Sequence, residues 1–205
     1  MLAQANLTRM TGRHIPGRDV LANSAANDAS SRLIVEFSSH SELGIESCAV
    51  FDGRRRYRYS LTRVWDSALP ATAFIMLNPS SADAHKNDPT IARCMTLARR
   101  LGFGSLEVVN LFGLRTKEPK MLIAHKNPIG SLNDQFIADA VARASRVIVA
   151  WGNWGTFRGR NHVVLSLIRE FPLFSFGLTF KNQPRHPLFL RSDTSLKPFL
   201  IDDSM

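Results

Sequence analysis

The stretch Ala73-Phe74-Ile75-Met76-Leu77-Asn78-Pro79-Ser80-Ser81-Ala82-Asp83 passes from an unbroken apolar run straight into a polar loop punctuated by proline. A short apolar run bounded by turn formers predicts a strand buried on both faces. In open α/β sheets the carboxyl ends of such strands face a crevice, where loop residues carry the chemistry. Three further segments repeat the arrangement. They are Val108-Val109-Asn110, Val147-Ile148-Val149-Ala150-Trp151-Gly152, and Phe174-Ser175-Phe176-Gly177 leading to Arg185-His186-Pro187. Together they outline one site.

Helices fall between these strands. Asp88-Pro89 predicts a helix start, with Asp88 as N-cap and Pro89 at the first position, where its missing N–H costs nothing. Ile91, Cys94, Met95, Ala98 and Leu101 form its apolar stripe, and Gly102 ends it. Ser131 and Asp134 predict a capping-box-like start for a second helix that turns Leu132, Phe136, Ile137, Ala140 and Val141 inward. Thr156 is placed to cap a third helix ending near Phe171-Pro172. Upstream, Cys48 to Phe51 and Tyr57 to Val64 read as a hairpin around the Asp52-Gly53 turn. The Arg-Tyr-Arg-Tyr alternation at 56–59 fits an edge strand with one charged face. The expected fold is α/β, a three-layer α/β/α arrangement with a central, mostly parallel sheet plus an N-terminal β-hairpin. Residues 1–44 are expected to be an irregular extension, 45–190 a single α/β domain, and 191–205 a C-terminal tail.

At 205 residues and 44% hydrophobic composition the chain can build one complete core. No stretch approaches the roughly 20 apolar residues of a membrane span, and the N-terminus lacks the order of a secretory signal. A cytoplasmic location is the default expectation. Cys48 and Cys94 lie far apart with no ligand spacing, which predicts buried, reduced thiols rather than a disulfide or zinc site. Lys plus Arg number 26 against 17 acidic residues, a net charge of +9. Such an excess favours polyanionic partners, although a generally basic soluble surface would look the same. No metal cluster, Walker-type phosphate loop or nicotinamide fingerprint is evident, so no cofactor is indicated.

From about Arg56 to Leu190 the chain resembles an uncharacterised bacterial and phage family, the domain-of-unknown-function 1643 family. The residues that carry this are Met76-Leu77-Asn78-Pro79-Ser80, Asn87-Asp88-Pro89-Thr90, Val109-Asn110-Leu111-Phe112, Ala150-Trp151-Gly152 and Pro184-Arg185-His186-Pro187-Leu188. The order of motifs is also similar, more distantly, to the uracil-DNA glycosylase superfamily, which implies a uracil-DNA-glycosylase-like fold. That resemblance implies that Leu77-Asn78-Pro79 matches the loop positioning the attacking water, and that Asn110 reads a pyrimidine edge. It implies further that His186-Pro187 supplies the residue stabilising the departing base. Met76 and Ser80 stand where the superfamily has glycines, and Leu188 where it has serine.

Hydrolysis of an N-glycosidic bond needs an oriented water, tolerance of a cation-like sugar, and hydrogen-bond donors for an anionic base. Asn78 offers a side-chain carbonyl for the water. Asp83 and Asp88 are the carboxylates near enough to take a proton, with Asp88 also the helix cap. His186 is the oxyanion partner. Pro79, Ser80 and Gly152 line the expected site, with Pro187 beside His186 and Asn110 on the base edge. Phe112 and Trp151 (or Trp154) are candidates to stack on the base. Arg115 and Arg185 are the natural phosphate contacts. The expected partner is DNA or a nucleotide, with no membrane association. Plainer readings coexist: Asn78-Pro79 as a turn starter, Asn110 as a strand terminator bonding backbone, and His186 as a structural hydrogen bonder. Two further possibilities are a non-catalytic nucleic-acid or nucleotide binder that retains the fold, and an enzyme acting on free nucleosides.

Overall fold

The computed structural model describes residues 33–40, 44–118, 120–191 and 193–201. Among the described residues eight strands form one sheet: β1 (Leu33–His40), β2 (Ile45–Asp52), β3 (Arg58–Val64), β4 (Ala71–Met76), β5 (Ser105–Asn110), β6 (Arg146–Val149), β7 (Leu173–Ser175) and β8 (Lys197–Phe199). The described residues also form four α-helices: α1 (Pro89–Arg100), α2 (Lys120–Ala124), α3 (Asn133–Arg143) and α4 (Arg160–Leu167). The spatial order is β1-β2-β3-β5-β4-β6-β7-β8.

The class is α/β, as expected, but the sheet is mixed rather than mostly parallel. The three pairings at its centre, β5 with β4, β4 with β6, and β6 with β7, are parallel. The other four, β1 with β2, β2 with β3, β3 with β5, and β7 with β8, are antiparallel. The strand–helix alternation from residue 71 onward gave the parallel centre. The predicted hairpin, however, is no appendage: it joins the same sheet through β3. Residues 33–40, counted from sequence within the irregular extension, are a strand that pairs along its whole length with β2. The remainder of that extension lies outside the described residues. Lys197–Phe199, counted as tail, adds a short edge strand, and Pro198 is tolerated there because an edge needs fewer donors.

Interior strands alternate their side chains between two cores. Ile75, Val109, Val149 and Trp151 join the cluster that includes Phe136, Ile137 and Val141 of α3 and Val164 of α4. Phe74, Met76, Val108 and Ile148 join the cluster built on Ile91, Cys94 and Ala98 of α1. Period-two alternation between two cores explains why these strands read as unbroken apolar runs. Because β3 lies between β2 and β5, the expected charged edge face is instead interior, and Arg58 and Arg63 are buried.

Helix α1 starts as its sequence dictates, with the Asp88 side chain accepting from Ile91 N–H at 2.9 Å and Pro89 at the first position. The other two caps differ. Helix α3 begins at Asn133 with Leu132 at the cap position, whose apolar side chain cannot accept from the first turn, and Asn133 turns inward to bond the carbonyls of Asn110 and Leu111 at the end of β5. Thr156 lies inside a 3-10 turn spanning Asn153–Gly159, and α4 begins after Gly159 in a left-handed conformation and ends at Leu167.

The sheet positions a crevice. The chain runs from β4 to β5 on one side and later from β5 across to β6 on the other, so β4 is flanked by parallel strands reached in opposite directions. The carboxyl end of β4 is therefore a topological switch point, the place where open sheets leave room for a ligand.

Candidate functional site

A cavity of about 510 Å³ opens beyond the carboxyl ends of β4, β5 and β6. Of the residues singled out from sequence, Asn78, Ser80, Asp88, Asn110, Trp151, Gly152, Trp154, Arg185 and His186 line it. Pro79, Asp83, Phe112, Arg115 and Pro187 do not.

Asn78 follows β4. Its Nδ2 donates to the backbone carbonyls of Pro79 (3.0 Å) and Thr116 (2.8 Å), and its Oδ1 accepts from no described residue. The amide thus has one end fixed to the loop and an acceptor left over. Pro79 is buried beside it, its carbonyl also accepting from Thr116 N–H. Ser80 is partly exposed and lines the cavity.

Asn110 ends β5 at 1% exposure, and its Nδ2 is buried without a hydrogen-bond partner. Its backbone carbonyl is satisfied elsewhere: Asn133 Nδ2 donates to it at 2.9 Å and to Leu111 O at 3.1 Å. Arg160 Nε also donates to Leu111 O, at 2.7 Å, from a buried guanidinium paired with Asp134. The chain end is anchored by other residues, and the Asn110 side chain makes no bond that terminates the strand.

His186 is the cap residue of a short 3-10 turn, Pro187–Phe189; its Nδ1 accepts from Leu188 N–H at 3.3 Å. An accepting Nδ1 assigns the proton of the neutral ring to Nε2. Burial pulls the imidazole below its ordinary value, opposed by the charge of Asp88, so the neutral form is favoured. A neutral histidine with a free Nε2–H is a hydrogen-bond donor without a charge. Pro187 is buried behind it at the first position of the turn.

Trp151 is buried, and its Nε1 donates to Gln183 Oε1 at 2.9 Å. Its ring fits because residue 155 is glycine: a Cβ there would stand 2.0 Å from Trp151 Cδ1. Gly152 has φ +71 and donates its N–H to Pro184 O at 2.8 Å, fixing the turn after β6 against the loop that carries His186. A left-handed conformation there calls for glycine.

Asp88 reaches the cavity with its capping carboxylate. Asp83 does not: its Oδ1 accepts from His85 N–H (2.9 Å) and Lys86 N–H (3.0 Å) in a turn of its own. Burial pushes the Asp83 carboxyl up, but those two bonds and the charges of Lys86 and His85 outweigh it and hold the group below its usual range. Phe112 lies in the core against Phe157, with ring centroids 5.8 Å apart. Arg115 stacks over Phe51 at 5.0 Å and bonds Arg55 O, away from the cavity.

Sequence reasoning missed Arg58, which lines the cavity from the start of β3 at 2% exposure. Its Nη1 donates to Ala82 O at 2.9 Å, its Nε has no partner, and it is in no ion pair among the described residues. Burial pushes the guanidinium down to about 9, with Asp88 opposing, which leaves it charged at neutral pH. Lys117, Thr179 and Phe189 also line the cavity. The walls therefore combine cations (Arg58, Lys117, Arg185), neutral donors (Asn110, His186), one carboxylate and aromatic rings.

Among the described residues no group of three or more His, Cys, Asp or Glu is placed to hold a metal ion. No described helix is long and apolar enough to cross a membrane. Cys48 and Cys94 are free and buried, and burial, helped by Glu107, pushes the Cys48 thiol up to about 12. No curated protein and no solved structure matches the chain. Residues 58–188, from the start of β3 to the His186 turn, match the family described as "Protein of unknown function (DUF1643)", and the chain belongs to that family.

Proposed function

We propose that the cavity binds the base of a nucleotide, free or within DNA, and hydrolyses its N-glycosidic bond. The observation that carries this reading is the Asn110 side chain: buried, unpartnered at Nδ2, and on the wall of a cavity at a topological switch point. A terminal amide offers a donor and an acceptor side by side, which suits the edge of a pyrimidine. A buried polar group left unsatisfied costs about 1–3 kcal/mol, and a ligand that pairs with it recovers that cost.

The other walls fit the same chemistry. Water held at Asn78 Oδ1 forms the new bond to the anomeric carbon, and the bond from that carbon to the base nitrogen breaks. The electron pair leaves with the base, and the His186 Nε2–H donates to the base oxygen on which charge develops. The water proton passes to the free oxygen of Asp88 or to solvent. Arg58 and Arg185 supply positive charge for a phosphate. The alternation of interior strands between one core with α1 and another with α3 and α4 supports the three-layer, uracil-DNA-glycosylase-like arrangement that belongs to this proposal.

A second reading is a nucleotide or nucleic-acid binder that retains the fold without the chemistry. It is favoured by Met76 and Ser80, which line the cavity where the glycosylase superfamily has glycines. It is favoured also by the commitment of Asp83 to its own turn. The deciding experiment incubates the protein with DNA and nucleotides carrying uracil, hypoxanthine and oxidised or hypermodified pyrimidines, with free base detected by mass spectrometry. Base released by wild type and not by Asn110→Leu supports hydrolysis. No release, with salt-sensitive DNA binding in the same preparation, gives the binder.

A further inference from the structure

Beside the main cavity lies a shallower hollow of about 450 Å³ lined by Asn153, Trp154, Thr156, Phe157, Phe180 and Lys181. Asn153 and Trp154 line both spaces, so Trp154 stands as the partition between them. Two large rings face solvent here: Trp154 is 41% exposed and Phe180 is 87% exposed. Neither sits on a loose segment. Phe180 is at the tip of a turn closed by Thr179 N–H donating to Gln183 O at 2.8 Å. The Thr179 hydroxyl donates to Asn153 Oδ1 at 2.6 Å and accepts from Lys181 N–H and Gln183 N–H. The turn is thereby tied to the 3-10 segment that carries Trp154.

The charged residues lining the two spaces are cations except for Asp88. Lys181 Nζ lies 5.8 Å from the centroid of the Phe180 ring. Lys181, Arg185 and Lys117 take part in no ion pair among the described residues. Rings held rigidly in solvent beside unneutralised cations suit a chain of stacked bases joined by phosphates. The rings take the face of any base, and the cations take the backbone. A paired base inside a duplex keeps both faces covered by its neighbours and could not offer one.

We infer that the second hollow holds the nucleotide adjoining the one whose base enters the cavity, so that the ligand is a single-stranded polynucleotide. This inference rests on the nucleotide reading of the cavity. The phosphate between the two residues passes Trp154, within reach of the cations at the rim.

The test measures binding of thymidine monophosphate, a short single-stranded thymidine oligonucleotide and a duplex of the same length, at two salt concentrations, to wild type and Phe180→Ala. Phe180 is almost wholly exposed, so the variant is expected to fold. The oligonucleotide should bind wild type at least tenfold more tightly than the mononucleotide, with the steeper salt dependence. Phe180→Ala should lose about tenfold in oligonucleotide affinity and leave mononucleotide affinity unchanged. Equal oligonucleotide affinity in the two proteins, or tighter binding of the duplex, overturns the inference while the cavity reading stands. A Phe180-dependent dimer in sedimentation, with no oligonucleotide effect, also overturns it. Failure of every nucleotide to bind removes the cavity reading and the inference together.

Discussion

Replacing Asn110 by leucine should stabilise the ligand-free protein and destroy its function. Leucine has the same number and connectivity of side-chain heavy atoms as asparagine, and its bulkier methyl groups have the cavity that Asn110 lines to extend into. The Asn110 Nδ2 group is out of water and without a partner, which costs about 1–3 kcal/mol. Removing both polar atoms recovers that cost, less the strain of fitting a tetrahedral Cγ where a planar one stood. A net gain of about 1–2 kcal/mol is expected. For a chain of this size that raises the unfolding midpoint by about 2–8 °C. Calorimetry gives the midpoint, and urea unfolding with an unchanged m-value shows that the two states being compared have not altered. The same preparation should release no base and bind no mononucleotide. A loss of about 2 kcal/mol or more would refute the reasoning, because it would show that the amide holds the end of β5 and is not kept for a ligand.

Three other outcomes follow from the geometry. His186 is held by burial below its ordinary value, so the unfolded chain takes up a proton first as pH falls. Its share of stability is present above the unfolded value near 6.5 and is lost as pH falls from there through the lowered folded value. His186→Asn, which keeps an acceptor for Leu188 N–H, should flatten that part of the slope in unfolding midpoints measured from about pH 7.5 to about pH 5. Gly155→Ala drives a Cβ into the Trp151 ring and away from its bond to Gln183. A loss of about 1–3 kcal/mol is expected, with a changed tryptophan emission spectrum. Asp88→Asn keeps the helix cap and should leave the unfolding midpoint nearly unchanged while lowering base release. Asp88→Ala loses the cap as well, about 1 kcal/mol by thermal unfolding.

The parts of the fold legible in the sequence were those with a strong period or a strong cap. The β4 and β6 runs and the Asp88-Pro89 start came through because both faces of each strand are buried and because proline fixes the first turn of α1. Strand β1 was missed because Leu33 to Phe37 is a half-buried outer strand set in a stretch that reads as polar. Its signal was the short apolar run Leu33-Ile34-Val35, with Phe37 two positions on. Arg58 was missed for a related reason. Alternating arginine and tyrosine describes a solvated edge unless something covers the strand, and here β2 and β5 flank it. Asp83 lies off the cavity for a local reason: a carboxylate two residues before a backbone N–H closes its own turn, and this one does.

What distinguishes the cavity from an ordinary loop cluster is where its hydrogen bonds go. Were Asn110 a strand terminator, its amide would satisfy the carbonyls beyond β5. Those carbonyls are instead met by Asn133 and by Arg160, a buried guanidinium brought from another segment of the chain. Were Asn78 only a turn former, its carbonyl would be used as its amide is, on the loop; it is not. Were His186 only a cap, nothing would require its second nitrogen to line a cavity, yet the ring does. In all three residues one polar atom is accounted for by structure, or relieved of it by a neighbour, and another is left without a partner among the described residues. Backbone satisfied by substitutes and side chains left free at one switch point is what a binding site requires of a fold, because each free group has to be denied its easiest internal partner.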